Sequence, residues 1–215
     1  MDSPSVSEPV LRVRGLTQRY GDLTVIDGLD LDVPPGTAVA LVGPNGSGKS
    51  TLLRCLTGLD SAAAGTVELD GRPLDERAVA TRRALAVVTD DLDFFPDLSV
   101  VEHLDLVASA HGVDDVHAAV DEVLSAIGLS AQAGQLPGTL SSGQRRRLAL
   151  ATVFVRPRRL MVLDEPEQRL DTDGVAWLGD RLRADVDAGA ALVFASHDPD
   201  LVERVADTVL DLGAS

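Results

Sequence analysis

A single lysine occurs in the chain, Lys49, and it stands in Gly43-Pro44-Asn45-Gly46-Ser47-Gly48-Lys49-Ser50-Thr51. The spacing is G-x-x-x-x-G-K-[ST], with an apolar run, Ala38-Val39-Ala40-Leu41-Val42, before it and a helical pattern after it. Glycines at these positions let the backbone curl so that successive N–H groups face an anion, and the following helix adds its positive end. The chemistry implied is polyphosphate binding: Lys49 reaches the β- and γ-phosphates, and the Ser50 hydroxyl ligates magnesium. A plain Gly-rich turn is the bland alternative, but with Gly at about 7% of residues a chance match is roughly a one-in-a-hundred event.

A second group of residues fits the same chemistry. Leu160-Met161-Val162-Leu163-Asp164-Glu165 delivers two carboxylates at the end of an apolar strand. Beside a phosphate loop, Asp164 can hold magnesium through its shell while Glu165 accepts a proton from the water attacking the γ-phosphate.

Alternating strands and helices must position these residues. Extended patterns occur at residues 10–13, 23–26, 37–42, 66–69, 85–88, 160–163, 192–195 and 208–212, and helical ones at 49–57, ending at Gly58, and about 172–187. Asp198-Pro199 opens a further helix, with Asp as N-cap and Pro at the first helical position. The alternation predicts βαβ units and a mainly parallel sheet whose ligands lie at strand carboxyl ends. From Pro96 to about Arg147 the spacing is helical only, with Val100, Leu104, Val107, Val116, Val120, Val123, Leu124 and Ile127 forming core stripes.

These motifs resemble the nucleotide-binding domain of the ABC ATPase family over about residues 10–212. The specific addition is Leu140-Ser141-Ser142-Gly143-Gln144, which is similar to the family signature LSGGQ and precedes a helix expected over 145–155. The resemblance implies an α/β fold with a P-loop NTPase (RecA-like) core, an N-terminal antiparallel β subdomain and an inserted helical subdomain at about 96–147. Residues 1–9 are then a disordered tail and 10–215 one domain.

It also implies that two such domains, a homodimer by expectation, enclose two ATP molecules head to tail, with Ser141 and Gly143 of one facing the γ-phosphate held by the other. Tyr20 corresponds to the aromatic that stacks on adenine, His197 to the switch histidine that contacts the γ-phosphate and orients water, and Asp171 to the loop crossing to the partner. Ser141 is equally a helix N-cap, which is compatible with phosphate binding because both uses draw on the same free amides.

Three departures limit the transfer. Asp90 stands where the family has glutamine, and as a shorter, charged group it could hold magnesium through water. Ser142 replaces a signature glycine, and Glu167-Gln168-Arg169 replace the usual small and polar residues. With Lys49, Ser50, Asp164, Glu165 and His197 all present, hydrolysis is expected to survive.

Composition sets the remaining bounds. The chain has 215 residues, 45% of them hydrophobic and 25% charged, enough for a sizeable core. The other basic residues are eighteen arginines, a bias that GC-rich codon usage explains without a functional cause. A net charge of −15 argues against nucleic acid or an anionic membrane surface as direct partner. No apolar run reaches the roughly 18 residues of a membrane span, and residues 1–9 lack the features of a secretory signal. A cytoplasmic protein, peripheral on the inner face of the membrane, is expected. Cys55 is the only cysteine and reads as a small buried hydrophobe.

Residues 84–144 hold ten acids between Ala84 and Gln144 and no Lys or Arg, two-thirds of the net charge. In transporters of the resembled family this lobe receives short cytoplasmic helices of the permease, and cytoplasmic loops are rich in Lys and Arg, so the acids form either a docking face for a basic partner or a merely solvated face. The functional expectation is an ATP-hydrolysing subunit that drives a separate transmembrane permease. The chain's end shortly after its last strand favours export over import. A nucleotide-gated module without transport, and with weak or no hydrolysis, is the alternative. A soluble ABC protein acting on DNA or ribosomes would need the basic surface or second domain that is not evident.

Overall fold

The computed structural model describes residues 8–89 and 93–213. Strands β1 (Leu11–Tyr20) and β2 (Leu23–Val33) form an antiparallel pair, joined on the other edge of β1 by β4 (Ala64–Leu69) and the two-residue β5 (Arg72–Pro73). Both leading strands run far beyond the four-residue segments expected. Register shifts between Val13 and Leu16 and between Leu16 and Gln18 break the two-residue alternation, so the pleat continues where the hydrophobic period stops.

The second sheet is parallel throughout, in the order β6 (Leu85–Val88), β7 (Leu160–Asp164), β8 (Ala191–Ala195), β3 (Ala38–Val42) and β9 (Thr208–Asp211). Its inner strands are apolar without interruption because both faces are covered. Alternate residues enter two different cores. Val39, Leu41, Leu160, Val162 and Val193 face the antiparallel sheet and Leu52, Leu53 and Leu56 of α1 (Lys49–Thr57). Ala38, Ala40, Met161, Leu163, Leu192 and Phe194 face the helices on the other side. Cys55 is buried in the first of these cores.

Between β6 and β7 the described residues hold only helices and turns: α3 (Val100–Ala110), α4 (Val116–Ala126), two short 3-10 turns and α5 (Ser142–Phe154). The expected stripe residues Val100, Leu104, Val120, Val123, Leu124 and Ile127 are buried there. Helix α5 begins three residues before the 145 expected, because Ser141 caps it and draws Ser142, Gly143 and Gln144 into its first turn. The six-residue α2 (Val79–Ala84), unanticipated, buries only Thr81. After β7 come α6 (Thr172–Asp187) and α7 (Pro199–Val205), capped by Asp171 and Asp198.

The architecture is the mixed α/β P-loop fold expected, with one antiparallel and one parallel sheet. Of the tail at residues 1–9, positions 1–7 lie outside the described residues, as does Asp90. No helix among the described residues is long and apolar enough to cross a membrane.

Candidate functional site

The segment 43–48 links the carboxyl end of β3 to α1. Helix α1 has no acidic residue in its first turn, and its N-cap, Gly48, offers no side chain to the free amides. Those amides are left for an anion. Gly48 has φ 97°, and a Cβ there would lie 2.8 Å from Val25 Cγ1, so only glycine fits this turn. The Lys49 side chain is buried, and its Nζ donates to the carbonyls of Gly43 at 2.8 Å and Pro44 at 3.1 Å.

A cleft of about 560 Å³ opens beside this loop, lined by Tyr20, Val25, Asn45, Gly46, Gly48, Lys49, Ser50, Thr51, Glu165 and Gln168. The structure thus brings together the phosphate loop, the strand-end Glu165 and Tyr20. Tyr20 is the last residue of β1, half exposed, and its hydroxyl donates to Asp60 Oδ2 at 3.1 Å. Asp60 also accepts two hydrogen bonds from Arg54, each 2.9 Å, and the guanidinium followed by the Tyr20 hydroxyl holds its carboxyl below the usual range. This contact fixes the ring at the cleft.

Asp164 ends β7 with Oδ1 buried and without a hydrogen-bond partner. A buried carboxylate oxygen left unpaired is costly unless a cation completes it, so Asp164 and the Ser50 hydroxyl fit a divalent ion with oxygen preference. Glu165 follows at φ 44°, its N–H bonded to the Ala195 carbonyl at 2.9 Å. Its carboxylate meets His197 Nε2 at 3.3 Å and accepts from the Gln168 side-chain amide.

Two neighbours had no site role in the sequence reading, although Glu167 stood out there as a departure. Arg146, buried in α5, donates to the carbonyls of Asp164 at 2.7 Å, Pro166 at 3.3 Å and Thr89 at 3.3 Å, and to that of Glu165. It ties the signature helix to both the carboxylate turn and the end of β6. Glu167 Oε1 accepts from Ser196 Oγ at 2.6 Å and from the His197 N–H at 3.1 Å. Three consecutive arginines after the signature, and an acid where small residues are usual, were the available signals.

The signature residues lie elsewhere. Ser141 Oγ accepts from the Gln144 N–H at 3.2 Å, and Gln144 Oε1 accepts from the Ser141 N–H at 2.9 Å, a closed capping box. Gly143 lies so close to the backbone after β7 that a Cβ would stand 2.9 Å from the Arg169 carbonyl. None of 141–144 lines the Lys49 cleft. Asp171 spends its carboxylate within the chain, accepting from the Gly174 N–H at 3.0 Å and Arg147 Nη2 at 2.7 Å, which together hold its pKa down.

A phosphate loop at the end of one parallel strand, facing an acid pair at the end of another, defines a P-loop nucleotide hydrolase. The ABC transporter family model matches residues 26–168. The chain is 36% identical over 210 residues to Nod factor export ATP-binding protein I of Cupriavidus metallidurans, covering 95% of this chain and 69% of that protein. It is 38% identical over 226 residues to the nickel import ATP-binding protein NikO of Rhodobacter capsulatus, covering 96% and 86%. Among solved structures, an ATP binding subunit of an ABC transporter superposes with TM-score 0.88 at 26% identity, covering 95% of this chain and 86% of that one. A dimeric post-hydrolysis state of the ATP-binding cassette MJ0796 bound to ADP and Pi shares the fold, with TM-score 0.83 at 21% identity and 94% of each chain covered. The chain belongs to the ABC transporter family, as an ATP-binding, ATP-hydrolysing subunit.

Proposed function

We propose that two copies of this chain close head to tail around two ATP molecules and thereby power a separate transmembrane permease. The observation that carries the reading is Glu165, which lines the same cleft as Lys49 and meets His197 Nε2 at 3.3 Å. The glycine-rich loop, Gly43 to Thr51, cradles the phosphates. Lys49 exchanges its two carbonyl partners for β- and γ-phosphate oxygens, a stronger charge-assisted pairing. Tyr20 stacks on adenine. Ser50 and Asp164 would hold magnesium, which when bound neutralises charge on the phosphates. Glu165 takes the proton of the attacking water, and His197 orients that water and the γ-phosphate. Ser141, Ser142, Gly143 and Gln144 approach the partner's nucleotide, and Asp171 lies at the same junction.

The separation of the signature from the Lys49 cleft within one chain supports this sharing. Relatives named for export and for import both align over nearly the whole chain, so transport in either direction is compatible with the site. The acidic lobe between β6 and β7 is the surface offered to the permease. A nucleotide-gated module with weak turnover is the second reading, favoured by the Gln168 amide on the Glu165 carboxylate.

The test is ATP hydrolysis with and without magnesium by the purified chain and by Glu165→Gln, with sedimentation in ATP. The proposal expects turnover to fall by about 10²-fold or more, as for loss of a general base, while an ATP-bound dimer accumulates. Parent-level turnover in the variant would rule out Glu165 as the base, and no turnover in the parent would favour the gated module.

A further inference from the structure

We infer that Glu167 is a positioning residue that sets the His197 ring against Glu165, an inference that rests on the roles proposed above for those two residues. Glu167 lies on the turn after β7, and His197 lies thirty residues on, between β8 and α7. The Glu167 carboxylate bridges the gap with one oxygen: Oε1 accepts from Ser196 Oγ at 2.6 Å and from the His197 backbone N–H at 3.1 Å. Ser196 is buried, and its Oγ accepts in turn from the Asp198 N–H at 3.0 Å. Asp198 Oδ1 then caps α7, accepting from the Asp200 and Leu201 N–H groups at 2.9 Å each.

The result is a continuous relay from the carboxylate turn, through Glu167, Ser196 and Asp198, to the start of α7. Donors on a carboxylate in a buried setting make short, strong bonds, and a connected network of them leaves little freedom to the three residues 196–198. The backbone that carries the His197 ring is therefore referenced to the same turn that carries Glu165, only two residues from Glu167. Ring-to-carboxylate distance is thus set locally, as a proton-handling pair needs.

The other oxygen of Glu167, Oε2, is buried without a hydrogen-bond partner. An acid placed solely to fasten two loops would gain from pairing both oxygens. One oxygen accepts from both Ser196 and His197, so the carboxylate is oriented for that pair and leaves the other oxygen unpaired. Neither Ser196 nor Glu167 lines the Lys49 cleft, so nucleotide affinity has no direct dependence on them.

The experiment compares Glu167→Ala, Glu167→Gln, Ser196→Ala and the Glu167→Ala/Ser196→Ala double variant for kcat, KM for ATP and nucleotide affinity, with His197→Ala and Glu165→Gln as references. Glu167→Ala is expected to lower kcat about 10- to 100-fold with KM and affinity within about twofold. Glu167→Gln retains an oxygen acceptor for both donors and is expected to restore most of the loss. The double variant should be no slower than the slower single one, because the two groups act as one unit. Should Glu167→Ala fail to fold, Ser196→Ala carries the same test, with kcat expected to fall while KM and nucleotide affinity stay within about twofold, and parent-like kcat overturning the inference. Parent-like kcat in Glu167→Ala, additive losses, or an equal fall in nucleotide affinity would each overturn the inference. So would parent-level turnover in His197→Ala beside a slow Glu167→Ala, whereas full turnover in Glu165→Gln would instead overturn the proposed site itself.

Discussion

Lys49 and Arg156 are both withdrawn from bulk water without a carboxylate partner among the described residues, and their surroundings are opposite. Lys49 opens α1, at the positive end of a helix whose first amides are unclaimed. Arg156 lies just past the negative end of α5, its guanidinium donating to the Leu85 carbonyl and meeting the His111 ring. Burial, then the neighbouring Arg158, pushes its pKa down to about 10, so it stays charged at neutral pH. A cation at a helix C-terminus is stabilised by the dipole, whereas one at an N-terminus is tolerated only in anticipation of an anion. Withdrawal of a positive charge thus does not by itself mark an anion site. The uncapped start of a helix directly beside Lys49 is what sets its site apart.

The sharpest way to break this contrast is Lys49→Ala. We expect nucleotide affinity to fall by about 100-fold or more, since a charged, desolvated contact is lost, with the stability of the nucleotide-free chain lowered by about 1 kcal/mol or less, because the hydrogen bonds lost by the Gly43 and Pro44 carbonyls are offset by removing a cation from a positive helix end. Melting curves with and without ATP would show both; a larger stability loss in the absence of nucleotide than that of Arg156→Met would contradict the contrast.

Arg156→Met should behave in reverse. Nucleotide affinity is expected to stay within about twofold, while stability drops by about 1–2 kcal/mol because the Leu85 carbonyl loses its donor. Urea titration and equilibrium nucleotide binding check the pair of outcomes.

The smallest effect concerns pH. Burial, then Arg156, Arg83 and Arg82, push the His111 pKa down to about 4. The unfolded chain, with a histidine near 6.5, binds the proton more readily, so stability is fully present above about pH 6.5 and declines as pH falls toward 4. His111→Gln should flatten that decline by about 1 kcal/mol or less, discounted because the ring is partly solvated. Denaturant midpoints at pH 7 and pH 5 for parent and variant measure it; parallel slopes would remove His111 from the account.

Legibility in the sequence followed how local each feature is. The phosphate loop, the acid pair and the apolar cores of β3, β7 and β8 are contiguous patterns, and each was readable from a handful of neighbouring residues. The full lengths of β1 and β2 were not, because register shifts carry the strands past the point where alternation ends. Helix α2 was invisible for a different reason: with only Thr81 buried, it leaves no apolar stripe. The parts of the site that went unread are those made by distance along the chain. Arg146 reaches carbonyls about 20 and 57 residues away, and Glu167 reaches Ser196 across 29. No periodicity records such pairings, and an arginine among three, or an acid in a polar loop, looks like solvated charge until the fold closes over it.

The burial of Lys49 has a practical consequence. Because every other basic side chain is an arginine, the protein carries one ε-amine, and that amine is in the phosphate cradle. Chemistry that is ordinarily scattered over a protein's surface is confined here to a single address. An endoproteinase specific for lysine has one bond to cut, between Lys49 and Ser50 at the first turn of α1. Cleavage there reports any opening, local or global, that exposes the first turn of α1, so the molecule carries a single-site reporter of that turn without any label added.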